Sequence, residues 1–215
     1  MQKDNISKNY IFEFIPLLAL SIWIAINALL TINGNHPWKQ SEALAQIEAF
    51  SYVGKLESPF HSYLSTKIFW DVPIYQYISS ILSKFLNIDP LQSARLLNIF
   101  LFIPTSIFSY KFLSYFVKIN RFAYFLCLSI NPIIIHYYSS PLVDILPIYL
   151  TSVSIYYISK FKKDTNSFER FFSILLFLFA VIIKPTIPFY GILLLMFFVI
   201  LKKPEAKMLI IKNLI

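Results

Sequence analysis

The feature that most constrains this chain is a series of long apolar runs separated by short basic connections. The first run, Ile11–Ile32, has 22 residues. As a helix that is long enough to cross a hydrocarbon layer of about 30 Å. A secretory signal has an apolar core of only about 7–15 residues, so the run reads as a retained span. Further spans are expected at Leu91–Phe116, Arg121–Ile135, Ser140–Ile158, Phe171–Ile183 and Ile187–Leu201. Of the 215 residues, 57% are hydrophobic and 14% charged, with a mean hydropathy of +0.64. A soluble domain carries roughly 25% charged residues. The expected fold is therefore all-α, a polytopic membrane protein with about six transmembrane helices.

Prolines mark the boundaries between runs. Asp89-Pro90 is a helix cap followed by proline at the first helical position, and Ser140-Pro141 repeats the pattern. Asn131-Pro132 interrupts the third span, and Lys184-Pro185-Thr186 separates the fifth from the sixth. Pro104 is expected to bend the second. Met208–Ile215 reads as the start of a further apolar segment. Lys and Arg favour cytoplasmic connections. With the N-terminus inside, thirteen of the nineteen basic residues fall on inner segments. Fusing the last two spans would move Lys202, Lys203, Lys207 and Lys212 outside, so six spans are preferred. The net charge of +8 follows this topology, and nucleic acid is not an expected partner.

The stretch 33–90 is the longest without a membrane-length apolar run. It carries Glu42, Glu48, Glu57, Asp71 and Asp89. Two amphipathic juxtamembrane helices are expected in it. In Ser41–Tyr52, Leu44, Ile47 and Phe50 share a stripe. In Val72–Leu86, Ile74, Ile78, Ile81, Leu82 and Phe85 recur at helical spacing, with Gln76, Ser79 and Ser83 between them.

The topology places Trp38, Lys39, Gln40, Glu42, Asp71, His136, Asp144 and Lys184 at one outer face. Ionisable residues at membrane depth are costly and commonly line a cavity or site. Plainer roles stand beside that reading. Asp144 suits a helix N-terminus. Lys184 suits snorkelling. Arg95 suits pairing with Asp71 or Glu42. Trp38 and Trp70 suit an interfacial belt. His36 and His136 read as loop residues, because a metal site needs a tighter cluster of ligands. No cofactor is expected, with divalent metal left open. Cys127 is single, so no intrachain disulfide exists. The chain has no nucleophile motif, Gly-rich phosphate loop or CxxC. Chemistry here would rest on carboxylates as general base and on Lys or Arg for phosphate charge.

Five segments carry a family resemblance. Trp38-Lys39-Gln40-Ser41-Glu42, followed by Ala45, Ile47 and Phe50, resembles the first-loop signature of bacterial GT-C membrane glycosyltransferases. These are relatives of the protein O-mannosyltransferases and the lipid A aminoarabinose transferase. Trp70-Asp71-Val72-Pro73-Ile74-Tyr75-Gln76 resembles the family's acidic-x-Pro-x-Tyr motif. Ser93-Ala94-Arg95-Leu96, Pro141-Leu142-Val143-Asp144 and Ile183-Lys184-Pro185-Thr186 resemble three later motifs, in the family's order. The resemblance implies transfer of a sugar, with inversion, from a polyprenyl-phosphate donor to an unidentified acceptor at the extracytoplasmic face of a bacterial plasma membrane. It implies catalytic roles for Glu42 and Asp71, and donor or phosphate binding by Trp38, Lys39, Gln40, Arg95, Asp144 and Lys184. Glu42 stands where Asp is more usual. Val72 stands where one branch has a phosphate-binding Lys. Family members are longer than this chain, which is expected to be the N-terminal portion of such an enzyme. The alternatives are a lipid-linked-sugar transporter or flippase-like protein that binds without cleaving, and an inactive fragment of the enzyme.

Overall fold

The computed structural model describes residues 10–27, 37–53, 73–160 and 166–202, and all regular structure among them is α-helical. Asp71, Trp70, His36 and Met208–Ile215 lie outside the described residues. The helices are α1 (Tyr10–Asn27), α2 (Pro37–Val53), α3 (Ile74–Leu86), α4 (Pro90–Phe116), α5 (Arg121–Ser129), α6 (Pro132–Ser139), α7 (Ile145–Ser159), α8 (Ser167–Ile183) and α9 (Thr186–Lys202).

Their ends follow local chemistry. Asp89 accepts from the Leu91 amide at 2.8 Å and Pro90 opens α4, as the sequence suggests. Asn120, Asn131 and Asn166 cap α5, α6 and α8 in the same way. α3 closes on Asn87, at φ 52°, a left-handed position that asparagine tolerates. That corner turns the chain directly into Asp89-Pro90.

Ser140-Pro141 is a correction. It does not start a helix. Residues 140–144 form a turn, and α7 begins at Ile145 behind Asp144. The Ser140 carbonyl accepts from Asn98 Nδ2 at 2.5 Å and from the Leu142 amide at 2.8 Å. The tertiary bond from Asn98 holds the turn where a local cap would have begun the helix. His136 is likewise helical, in the last turn of α6, rather than in a loop.

α7 is the central helix, packed against α4, α8 and α9. α4 and α7 run in the same direction: Asn98 meets Ser140, Ser109 meets Ser152 at 3.3 Å, and the Phe108 and Tyr156 rings lie 5.5 Å apart. α8 returns alongside α7, where Ser154 Oγ donates to the Ser173 carbonyl at 2.8 Å. α9 turns again, setting Phe198 5.7 Å from Phe112. Gly191 lets α9 close on α7, because a Cβ there would stand 2.5 Å from Thr151 Cγ2. α1 lies beside α5 through Glu13–Arg121 at 2.9 Å and Ser129 Oγ to the Pro16 carbonyl at 2.8 Å. One end of the bundle thus holds Asp89, Ser139–Asp144 and Lys184. The other holds Glu13, Lys111, Arg121, Lys160 and Arg170.

Beside the apolar clusters of the core, α3 and α4 turn many of their polar side chains inward. α3 buries Tyr75, Gln76, Ser79, Ser80 and Ser83 and leaves Ile81 51% and Phe85 83% exposed. α4 buries Ser93, Arg95, Asn98, Thr105 and Ser106 while Phe100 and Ile103 face outward. Among the described residues α4 is the helix long and apolar enough to cross a membrane. α5 and α6, bent by 69° at Asn131-Pro132, pass the same test as a pair. Phe12–Ile26, Ile145–Ser159 and Thr186–Ile200 are apolar but shorter. Helix lengths alone therefore do not give the six full spans expected from the sequence.

Candidate functional site

An apolar cluster sets the site's frame. Ile47 of α2, Tyr75 of α3, Ala94 of α4, Leu146 of α7 and Ile183 of α8 pack together. These residues are distant in sequence, yet each neighbours one of the segments singled out above. Packing them side by side brings the start of α4, the start of α7 and the end of α8 to one place, with α2 and α3 against them.

Asp144 and Lys184 meet directly there as an ion pair, 40 residues apart in sequence. The Asp144 side chain does not cap α7. Lys184 holds it from the break between α8 and α9. Both side chains are about one-fifth exposed, so the pair borders water without being open to it. Arg95 is 5% exposed, and its Nε donates to the Ser139 carbonyl at 3.1 Å. The guanidinium thus rests on the turn that leads into Asp144.

A hydrogen-bonded chain backs this turn. The Tyr75 hydroxyl lies 2.8 Å from Asn98 Oδ1 and 3.1 Å from the Ala94 carbonyl, and the Asn98 amide donates to Ser140. Complete burial pushes the Tyr75 phenol well above its ordinary range, because the phenolate would lose its hydration. It is a neutral donor at any physiological pH. Sequence reading passed over Asn98, although an amide inside an apolar span is the signal that marks such a role.

α2 starts at Pro37, four residues ahead of the helix expected from Ser41, so Trp38, Lys39 and Gln40 occupy its first turns along with Glu42. Gln40 is 1% exposed, and neither its amide nitrogen nor its oxygen has a hydrogen-bond partner in the described structure. A buried amide with both atoms unused is costly to maintain. Glu42 is half-buried and stands about 7.5 Å along the helix axis from Ile47. α2 is tied to α3 by Gln76 Nε2 to Gln46 Oε1 at 2.7 Å and by the Phe50 and Tyr77 rings at 5.9 Å. Asp71 lies outside the described residues, so its relation to Glu42 is not part of this geometry.

A cavity of about 490 Å3 opens beside the ion pair. Asp144, Ile148 and Ile187 border it at that end; Phe102, Thr105 and Tyr138 line its middle. It continues to Ser109 and to Tyr124 in the first turn of α5. The wall is mostly hydrocarbon and aromatic, with a few hydroxyls and one carboxylate. Such a lining suits an apolar group. Among the described residues no three of His, Cys, Asp and Glu are grouped so as to hold a metal ion.

Comparison of the chain with family models, with curated proteins and with solved structures finds no match in any of the three.

Proposed function

We propose that this chain forms the donor-binding half of an inverting GT-C glycosyltransferase, a multi-pass protein of the bacterial plasma membrane. Its N-terminus is cytoplasmic and its active face extracytoplasmic. The observation that carries the reading is the Asp144–Lys184 pair at the rim of the cavity, with Arg95 on the adjoining turn. Motif residues scattered along the chain come together at one end. The outward-facing apolar side chains of α3 and α4 support a lipid surround.

In this reading the donor's polyprenyl chain enters the cavity and its phosphate lies near Lys184 and Arg95, with Lys39 in reserve on α2. The acceptor hydroxyl oxygen attacks the anomeric carbon, and the bond from that carbon to the phosphate oxygen breaks. Glu42 takes the hydroxyl proton, supported by Asp71. The polyprenyl phosphate leaves with the electron pair, its growing charge offset by the cations. Gln40 supplies unused hydrogen-bonding capacity for the sugar. No cofactor is required by these steps.

The test is release of polyprenyl phosphate from a polyprenyl-phosphate sugar by the chain in liposomes. Glu42→Gln is expected to lower turnover by about 100-fold or more, while binding of the donor is retained. Turnover unchanged in that variant would sink the catalytic assignment. A second reading, a transporter or flippase-like protein for the same lipid-linked sugar, is favoured by one observation: the cavity extends to Tyr124, toward the opposite end of the bundle. Translocation of the donor with its sugar bond intact would select it.

A further inference from the structure

At the end of the bundle remote from Asp144, two cations share one aromatic ring. Lys160, which follows α7, places its Nζ 4.3 Å from the Tyr156 ring centroid and also donates to the Tyr156 hydroxyl oxygen. Lys111, on the exposed side of α4, places its Nζ 5.7 Å from the same centroid and 5.2 Å from that of Phe108. The two ammonium nitrogens are therefore no more than about 10 Å apart. Tyr156 itself is buried and fixed, with Phe108 at 5.5 Å and Tyr157 at 5.1 Å. Lys160 uses the phenolic oxygen as an acceptor, which leaves the phenolic hydrogen available to donate.

We infer that Lys111, Lys160 and the Tyr156 hydroxyl form a seat for the phosphodiester of an acidic phospholipid. The chemistry calls for an anion with more than one oxygen. Two like charges held near each other by parallel helices gain most from an acceptor that bridges them, and a phosphodiester presents two unesterified oxygens. A lipid source is favoured over free phosphate by what surrounds the seat. α8 begins at this end, a few residues beyond Lys160, with Phe168 69% and Phe171 64% exposed and the Phe168 and Phe172 rings stacked at 6.1 Å. A phospholipid would lay its chains along those rings. Of the described acids at this end, Glu13 is paired with Arg121, and Glu169 lies in the first turn of α8 beside Phe168. The inference rests on the membrane setting proposed above but not on the transfer chemistry. Its test reads lipid binding rather than turnover, so the two readings fail separately.

The experiment measures binding of phosphatidylglycerol and phosphatidylcholine to the full chain in detergent, by native mass spectrometry. The wild type is expected to prefer phosphatidylglycerol by about ten-fold, in keeping with two lysines acting on one headgroup. The double variant Lys111→Gln, Lys160→Gln is expected to lose that preference. Tyr156→Phe keeps the ring and is expected to lower it by a few-fold, which serves should the double variant fail to fold. Lys118→Gln, a basic change at the same end with no contact to Tyr156, should leave the preference intact. The seat is overturned if Lys118→Gln lowers the preference as much as the double variant, since the effect would then be diffuse charge. Displacement of the lipid by millimolar inorganic phosphate, or no preference in the wild type, would overturn it equally.

Discussion

The two ends of the α4–α7 pair treat positive charge in opposite ways. Near Asp144, Arg95 is buried and bonded to the Ser139 carbonyl, and Lys184 is paired with a carboxylate. Around Tyr156, Lys111 and Lys160 lie on ring faces at the surface. A cation bonded to backbone and carboxylate has a fixed position, as a group that meets a reacting phosphate requires. A cation held by aromatic rings and a phenolic oxygen at the surface can still turn its remaining N–H groups to solvent, which suits a boundary. One end is built as a site and the other as a surface, with α4 and α7 contributing to both and α8 supplying Lys184 at the first.

Substitutions at each end break or sharpen this contrast. The largest expected effect is at Arg95. Arg95→Met removes a charge-assisted bond to a buried carbonyl and is expected to lower unfolding stability in detergent by about 2–3 kcal/mol. Lys111→Met, measured in parallel, should stay within about 0.5 kcal/mol of wild type. Equal losses at the two positions would erase the contrast. Asn98→Ala should cost less, about 1 kcal/mol, although it removes two bonds. The Tyr75 hydroxyl keeps the Ala94 carbonyl and the Ser140 carbonyl keeps the Leu142 amide, so neither partner is left unsatisfied. A loss well above that in the same unfolding measurement would mean the turn before Asp144 depends on Asn98 alone. A small effect, comparable to that at Lys111, is expected at Arg121→Gln. Its partner Glu13 is about one-third exposed, and an ion pair of that kind contributes roughly 0–1 kcal/mol. Because the pair borders the surface, the difference should also shrink when salt is raised.

Much of the helix pattern was legible because its signals are local. Asp89-Pro90 announces α4, and Asn131-Pro132 breaks the third apolar run where α5 ends and α6 begins. Ser140-Pro141 carries the same kind of signal and misleads, because Asn98 takes the Ser140 carbonyl from 42 residues away. Local grammar holds until a distant partner competes for the same backbone group. In α3 the spacing of Ile74, Ile78, Ile81 and Phe85 gave the helix and its two faces, but periodicity carries no sign. Which face turns inward depends on the surroundings, and here the serines turn inward together with Tyr75, while of the apolar stripe Ile74 and Ile78 pack inside and Ile81 and Phe85 do not. At the site, charge placement brought Asp144 and Lys184 to one end, while their pairing with each other is a fact of packing between α7 and α8. Asn98, Tyr156 and the hydroxyl side of the cavity went unremarked, since single polar residues within apolar runs show no pattern until neighbouring helices supply their partners.

The inverted α3 also limits how the molecule can be altered. Engineers who want a protein to live in water commonly exchange outward-facing isoleucine and phenylalanine for lysine and glutamate. Applied at Ile81 and Phe85, that exchange would leave a helix with serine and glutamine on one side and charges on the other. Ile74, Tyr75 and Ile78 in the first turns would still pack on the neighbouring helices, but the serine-rich last turns would have little apolar surface left with which to dock in water. A water-soluble version would need its interior rewritten before its exterior.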